Sequence, residues 1–185
     1  RFYDLTAESL WTDEAVSLIH ARTENIKSLI GSVIYAELMP PGYFILLKSW
    51  INLFGEKEFA LRFLSVLFDC LSIILIYLIG KKIFSQKVGL LSAFIFSAAM
   101  LPIVYAQEAR PYALFGFLVL LSSYLFLCLY PNDPHQNNFN SKRKYYLIGY
   151  ILVNAASLYI NYMALFVLLF HLLIFLFFFY PKNKS

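Results

Sequence analysis

From Phe59 to Tyr180 the chain offers lipid-compatible sequence almost without interruption, and this constrains its fold more than any motif does. Five apolar segments can be placed near 59–80, 88–105, 111–130, 145–161 and 163–180. A helix needs about 20 apolar residues to cross a hydrocarbon core of about 30 Å, and it satisfies its own backbone there without water. The first three segments suit that length. The last two have about 17 residues each and suit a small tilt or a locally thinned bilayer. Hydrophobic residues make up 61% of the chain and aromatic ones 19%, with a mean hydropathy of +0.68, outside the range of soluble globular domains. An all-α polytopic membrane protein is expected. The chain begins at Arg1 and ends at Ser185 just past an apolar run, which reads as an internal piece of a longer protein.

The junctions between segments alternate in character. Lys81, Lys82 and Lys87, then Lys142, Arg143 and Lys144, then Lys182 and Lys184 are basic. Between them, Gln107-Glu108-Ala109-Arg110 and Asn161-Tyr162 carry no basic excess. The positive-inside rule puts the first set in the cytoplasm and the second outside. The net charge of +4 is divided among these small groups, so the expected partner is the lipid bilayer and not nucleic acid. Cys70 and Cys128 lie inside apolar runs without metal-ligand spacing and read as small buried residues.

Residues 1–58 read as an extracytoplasmic loop and 59–185 as the transmembrane region of one domain. Within the loop, Asp13, Ser17, His20 and Glu24 recur at helical spacing, suggesting a helix over about 13–24 with one polar edge, lying at the membrane surface. Met39-Pro40-Pro41-Gly42 breaks it. A second amphipathic helix is expected over 43–54; at 1.5 Å per residue it spans roughly 18 Å, too short to cross.

The sharpest polar feature is Ser9-Leu10-Trp11-Thr12-Asp13-Glu14-Ala15, with two adjacent carboxylates. As local structure it is a helix start, with Thr12 as cap and two acids in a first turn where the helix dipole favours them. The loop parity adds a second meaning. It puts Asp13 and Glu14 on the outer face with Glu108, Arg110 and Asn161, and ordinary caps have no cause to segregate to one face. A functional site is expected there.

Four stretches carry a family resemblance: S-L-W-T-D-E-A from Ser9, M-P-P-G-Y-F-I-L-L-K-S-W-I-N-L-F-G from Met39, E-F-A-L-R-F-L-S-V-L-F from Glu58, and Y-A-Q-E-A-R-P-Y-A-L from Tyr105. In this order, with these apolar spans between them, the chain resembles the polyprenyl-phosphate-sugar-dependent glycosyltransferases. Those include the protein O-mannosyltransferases and the aminoarabinose lipid A transferases. The resemblance runs from about Leu5 to Tyr180. It implies a GT-C-type transmembrane helix bundle with two juxtamembrane helices in the first extracytoplasmic loop. It also implies transfer of a sugar from a polyprenyl-phosphate carrier to a protein, lipid or glycan acceptor, outside the cell membrane. It maps the catalytic acid onto Asp13 with Glu14 as its neighbour, and a second acidic position onto Glu108, followed by Arg110 and Tyr112. Two positions depart from the pattern. Met39 stands where relatives usually carry histidine, lysine or another polar residue, and Tyr159-Ile160-Asn161-Tyr162 stands where Y-x-H-Y is often seen. Amide is a poorer metal ligand than imidazole, so the departures weaken the expectation of a divalent cation, for which Glu108 is the candidate ligand.

Such a transfer needs a base for the acceptor's proton, a cation for the leaving phosphate, and apolar surroundings for the lipid tail. Asp13 is expected as the base, its pKa raised by partial desolvation, with Glu14 holding it in place. Arg110 is expected at the donor phosphate, since guanidinium binds phosphate oxygens bidentately; the alternative is an interfacial anchor or a salt bridge to Glu108. Tyr112 and Tyr105 stack on sugar or belong to the interfacial aromatic belt. Lys48 reaches the donor phosphate or snorkels. Asp69, a carboxylate inside a span, is a functional suspect read as a structural hydrogen-bond partner, and Asn154 and His171 read as links between helices. His20 either assists Asp13 or is solvated. Two other classes stay open: a transporter or lipid flippase, which usually places charges near the midplane, where only Asp69 qualifies, and a non-catalytic membrane protein of the same fold.

Overall fold

The computed structural model describes residues 1–2, 5, 9–37, 39–129 and 139–179, the side chains of 139–142 and 178–179 excepted. Lys182, Lys184, the Lys142 side chain and the expected span ends at 130 and 180 lie outside the described residues. Every regular element among them is helical.

Three short helices come first: α1 (Thr12–Ala21), α2 (Ile26–Ala36) and α3 (Gly42–Phe54). Helix α1 begins one residue earlier than expected and stops before Glu24. Trp11 occupies the cap position in place of Thr12, and its N–H donates to Glu14 Oε2 at 3.4 Å. The expected polar edge divides: Ser17 and His20 are buried, as is Glu14 beside them, while Asp13 and Glu24 are exposed along with Trp11 and Ile19. Burial of those three is possible because partners from other elements meet them. Helix α2 is absent from the reading of the sequence, although its signals are ordinary ones. The Asn25 side chain accepts the Ser28 N–H at 2.9 Å as an N-cap, and Leu29 and Val33, one turn apart, are fully buried.

The long helices follow. Helix α4 covers Glu58–Ile83 with 26 residues, about 39 Å at 1.5 Å per residue. Arg62 therefore lies near one end and Lys81 and Lys82 at the other. Helix α5 (Gln86–Ala98) returns along α4 in a tight pair: a Cβ on Gly89 would sit 2.6 Å from the Tyr77 carbonyl oxygen and 2.8 Å from the Lys81 nitrogen. Helix α6 (Met100–Ala106) continues α5 with a bend of 61°. The expected single segment 88–105 is thus broken, and Pro102 explains where. It cannot donate to the Ala98 carbonyl and its ring would strike it, so the helix restarts at Met100 with Pro102 in its first turn. Helix α7 (Tyr112–Leu129), α8 (Phe139–Ile160) and α9 (Ala164–Ile174) complete the fold, the last running into a π-helical turn, Phe175–Phe179.

By length and composition α4 and α7 are able to cross a membrane, and the bent pair α5–α6 makes a third if it counts as one span. On the same measure α8, whose first turns hold Arg143 and Lys144, and α9, with 11 residues, do not reach that level among the described residues. Large apolar side chains are exposed along α5 (Leu90, Leu91, Phe94) and α9 (Leu165, Phe166, Phe170). Water would not tolerate such a surface but lipid does. The chain is an all-α membrane protein.

The packed core lies at one end of the bundle. Leu18, Leu29, Val33, Phe44, Leu47 and Ile51 of the short helices join Leu61, Leu64, Leu114 and Ile160 of α4, α7 and α8. At the start of α3, a Cβ on Gly42 would fall 2.4 Å from the Tyr159 carbonyl oxygen, so only glycine lets α3 seat against the end of α8. Deeper along the long helices, Ser122 donates to Asn154 at 2.9 Å. His171 lies 3.3 Å from Ser123 Oγ and 3.1 Å from Tyr150 Oη, stacked on Phe126. Both Asn154 and His171 link helices in the described structure. Cys70 and Cys128 are free thiols.

Candidate active site

Glu14, expected as a support for Asp13, is the deepest charged residue of the cluster, with no exposed surface. Arg62 of α4 grips it with two bonds, Nε to Oε1 at 2.9 Å and Nη2 to Oε2 at 2.7 Å. The Ala109 N–H donates to Oε1 at 2.8 Å. One carboxylate thus ties α1 to α4 and to the loop between α6 and α7. Arg62 also donates through Nη1 to the Leu5 carbonyl at 2.7 Å. The sequence reading passed over Arg62, which stands among apolar residues near the start of a span.

With Glu14 fixed inward, Asp13 turns the other way, because successive helical residues point about 100° apart. Its side chain is 51% exposed and its Oδ2 lies 3.9 Å from Arg110 Nη2. The desolvation expected around Asp13 falls on Glu14 instead.

Arg110 is buried. Its Nη1 donates to the Asp13 carbonyl at 3.3 Å and lies 3.4 Å from Ser17 Oγ. Both Nη atoms reach a single oxygen, Glu37 Oε2, at 3.3 Å, and the buried Nε has no hydrogen-bond partner among the described residues. Burial pulls the guanidinium's pKa down, but Glu37, Tyr112 and Asp13 more than offset this and hold it above its ordinary value. Glu37 was not foreseen. On its far side Oε1 lies 3.8 Å from His20 Nε2. The solvated alternative for His20 is overturned. The ring is buried, packs edge-on against Phe44 at 5.3 Å, and its pKa is lowered by burial against the opposing pull of Glu37.

Glu108 and Tyr112 complete the rim. Burial raises the Glu108 carboxyl above its usual range, and Glu14 and Asp13 add to this while Arg110 opposes it. Ser65 of α4 fixes the loop by donating to the Glu108 carbonyl at 2.6 Å. The Tyr112 ring lies 6.0 Å from the Arg110 guanidinium carbon and 4.9 Å from the Tyr105 ring. Both tyrosines line a cavity of about 320 Å³ between α4, α6 and α7, whose walls include Ile76, Pro102, Val119 and Leu120. Asp69 also borders it. That carboxylate pairs with Arg1, whose Nη1 donates to the Ser97 carbonyl at 2.9 Å. The break after Ala98 leaves carbonyls of α5 without intrahelical donors, and Arg1 satisfies one while Asp69 neutralises the cation.

Lys48, expected at the donor phosphate, is committed elsewhere. Its ammonium donates to the carbonyls of Ala21 and Thr23 at the C-terminal end of α1, where the helix dipole favours a cation. Asn161 forms the turn between α8 and α9, accepting the Met163 N–H at 2.9 Å. Glu14 is taken up by Arg62 and Ala109, and among the described residues no three His, Cys, Asp or Glu side chains gather as metal ligands.

A buried salt-bridge hub and a half-exposed carboxylate at the rim of lipid-facing helices define a membrane protein with a site at the end of its bundle. Residues 39–185 match the family of dolichyl-phosphate-mannose-protein mannosyltransferases, and the chain belongs to that family. It is a membrane glycosyltransferase. The matched residues include Arg62, Glu108, Arg110 and Tyr112, whereas Asp13, Glu14 and Glu37 lie ahead of them. Neither curated proteins nor solved structures give a match.

Proposed function

We propose that the protein moves a sugar from a polyprenyl-phosphate carrier to a protein, lipid or glycan acceptor at the extracytoplasmic face of the cell membrane, with Asp13 as general base. One observation carries the reading: a half-exposed carboxylate lies 3.9 Å from a buried guanidinium whose Nε has no hydrogen-bond partner among the described residues. A base must meet an acceptor arriving from solution, and a phosphate ligand acts best where it is desolvated and already oriented. Asp13 and Arg110 have those respective properties.

In this mechanism Asp13 takes the proton of the acceptor hydroxyl or amine as that atom bonds to the sugar's anomeric carbon. The bond from that carbon to the phosphate oxygen breaks, and polyprenyl phosphate leaves with the electron pair. Arg110 stabilises the charge on the leaving phosphate, with Tyr112 beside it. The apolar cavity beyond Tyr112 and Tyr105 suits the first isoprene units. Glu14 acts only by fixing α1, and Glu108 shapes the field around Arg110.

The test supplies the protein in membranes with polyprenyl-phosphate sugar and a panel of acceptors, and measures released polyprenyl phosphate. Asp13→Asn is expected to stop release while expression and insertion persist; unchanged turnover would remove Asp13 as the base. A cysteine placed near Glu14 is expected to label from outside the cell, and labelling only after permeabilisation would reverse the assigned face.

A further inference from the structure

We propose that Glu37 holds the donor-phosphate position on Arg110 while no donor is bound, and passes to His20 when phosphate arrives. The proposal rests on the reading of Arg110 as the phosphate ligand.

Glu37 is poorly matched to Arg110. A strong guanidinium–carboxylate pair uses two oxygens at about 2.7–2.9 Å. Glu37 offers one oxygen to both Nη atoms at 3.3 Å and leaves the buried Nε without a partner. A phosphate group, with more acceptor oxygens and more charge, satisfies what Glu37 leaves open.

The displaced carboxylate has a place to go. His20 Nε2 is, among the described residues, the second buried polar atom beside Glu37 without a hydrogen-bond partner, 3.8 Å from Oε1 and just beyond bonding distance. The tautomer of His20 follows from Ser32. With the Ser32 hydroxyl hydrogen directed to the Leu29 carbonyl 2.9 Å away, as the exchange requires, its oxygen accepts from His20 Nδ1 at 2.9 Å. The neutral ring therefore carries its hydrogen on Nδ1 and turns a bare lone pair toward Glu37. The two can bond only when Nε2 gains a proton.

The groups facing His20 are Ser32 and Glu37 from α2 and the residue after it, the Phe44 ring from α3, and the Arg110 guanidinium from the α6–α7 loop. Of these, Arg110 opposes protonation. Covering Arg110 with phosphate and swinging Glu37 onto the ring both favour it. Phosphate binding is thus linked to uptake of one proton from solution at His20.

Isothermal titration of farnesyl phosphate into the protein in nanodiscs tests this, in pairs of buffers with different ionisation heats between about pH 6 and about pH 8, the range in which histidine titrates. Glu37→Gln keeps the shape of the side chain and removes the competing charge, so it is expected to bind about three- to tenfold tighter at the upper pH. The proton uptake of the wild type is expected to disappear in Glu37→Gln and separately in His20→Gln, so either variant alone is decisive. Equal or weaker binding by Glu37→Gln, or undiminished uptake in His20→Gln, overturns the exchange while leaving Arg110 as the phosphate ligand. If the wild type fails to bind, or Arg110→Gln binds as well as it does, the underlying reading of Arg110 falls too.

Discussion

Replacing Arg62 by methionine removes a cation from a pocket that keeps its anion. Among the described residues Glu14, without exposed surface, then retains only the Ala109 N–H at 2.8 Å and the Trp11 N–H at 3.4 Å, and the Leu5 carbonyl loses its 2.7 Å donor. Breaking a buried pair from one side costs about 3–5 kcal/mol. At about 2–4 °C per kcal/mol for a chain of this size, Arg62→Met is expected to lower the melting temperature by roughly 6–20 °C. Glu14→Gln takes the opposing charge from Arg62, which keeps the Leu5 and Ser9 carbonyls, and costs about as much. The double variant removes both charges, so its loss is expected to fall short of the sum of the single losses by about 2–4 kcal/mol. Thermal unfolding in one detergent, followed by intrinsic fluorescence and repeated for all four proteins, reads the cycle. Additive losses, or a single variant within about 1 kcal/mol of the wild type, would refute the claim that this pair joins α1 to the bundle.

Glu108→Gln removes a carboxyl that burial, Glu14 and Asp13 hold above its usual range. An acid with a raised folded pKa stabilises the fold fully below its unfolded pKa, and that contribution is lost as pH rises through the folded value. The variant is therefore expected to melt a few degrees above the wild type at neutral pH and level with it in acid; a gap independent of pH would contradict this. Gly89→Val drives a side chain into the Tyr77 carbonyl and the Lys81 nitrogen at 2.6 and 2.8 Å. It is expected to part α4 from α5 at a cost of at least about 1–3 kcal/mol, read as a lower melting temperature.

What could be read in the sequence follows from what lipid and periodicity impose. The apolar character of α4, α5 and α7 is a requirement of their surroundings, so composition alone exposes it. The convergence of Asp13, Glu14, Glu108 and Arg110 on one end could also be read, because counting spans fixes which loops share a side. The partners across that end could not. Arg62 reads as one charge in an apolar stretch and Glu37 as a polar residue before Met39, since a sequence gives a charge no direction. The burial of His20 is hidden for the same reason: Ser17 and His20 face inward because Arg110, Ser32 and Glu37 arrive from elsewhere. The break before α6 was different, since Pro102 marked it locally.

The lengths of the polar contacts separate scaffold from working parts. Around Glu14 they are 2.7–2.9 Å to Arg62 and to the Ala109 N–H, with only the Trp11 N–H farther off among the described residues, at 3.4 Å. Around Arg110 they stretch to 3.3–3.9 Å, to the Asp13 carbonyl, Ser17, Glu37 and the Asp13 carboxylate. A group that must hold a helix in place gains from short, saturated bonds, because a charge stranded in a buried site is costly. A group that must exchange partners during a reaction gains from contacts it can leave. Two adjacent acids at one helix start therefore divide their work by direction. In the proposed transfer Glu14 is locked so that Asp13, whose carboxylate has only the 3.9 Å contact with Arg110 among the described residues, still points where an acceptor would arrive.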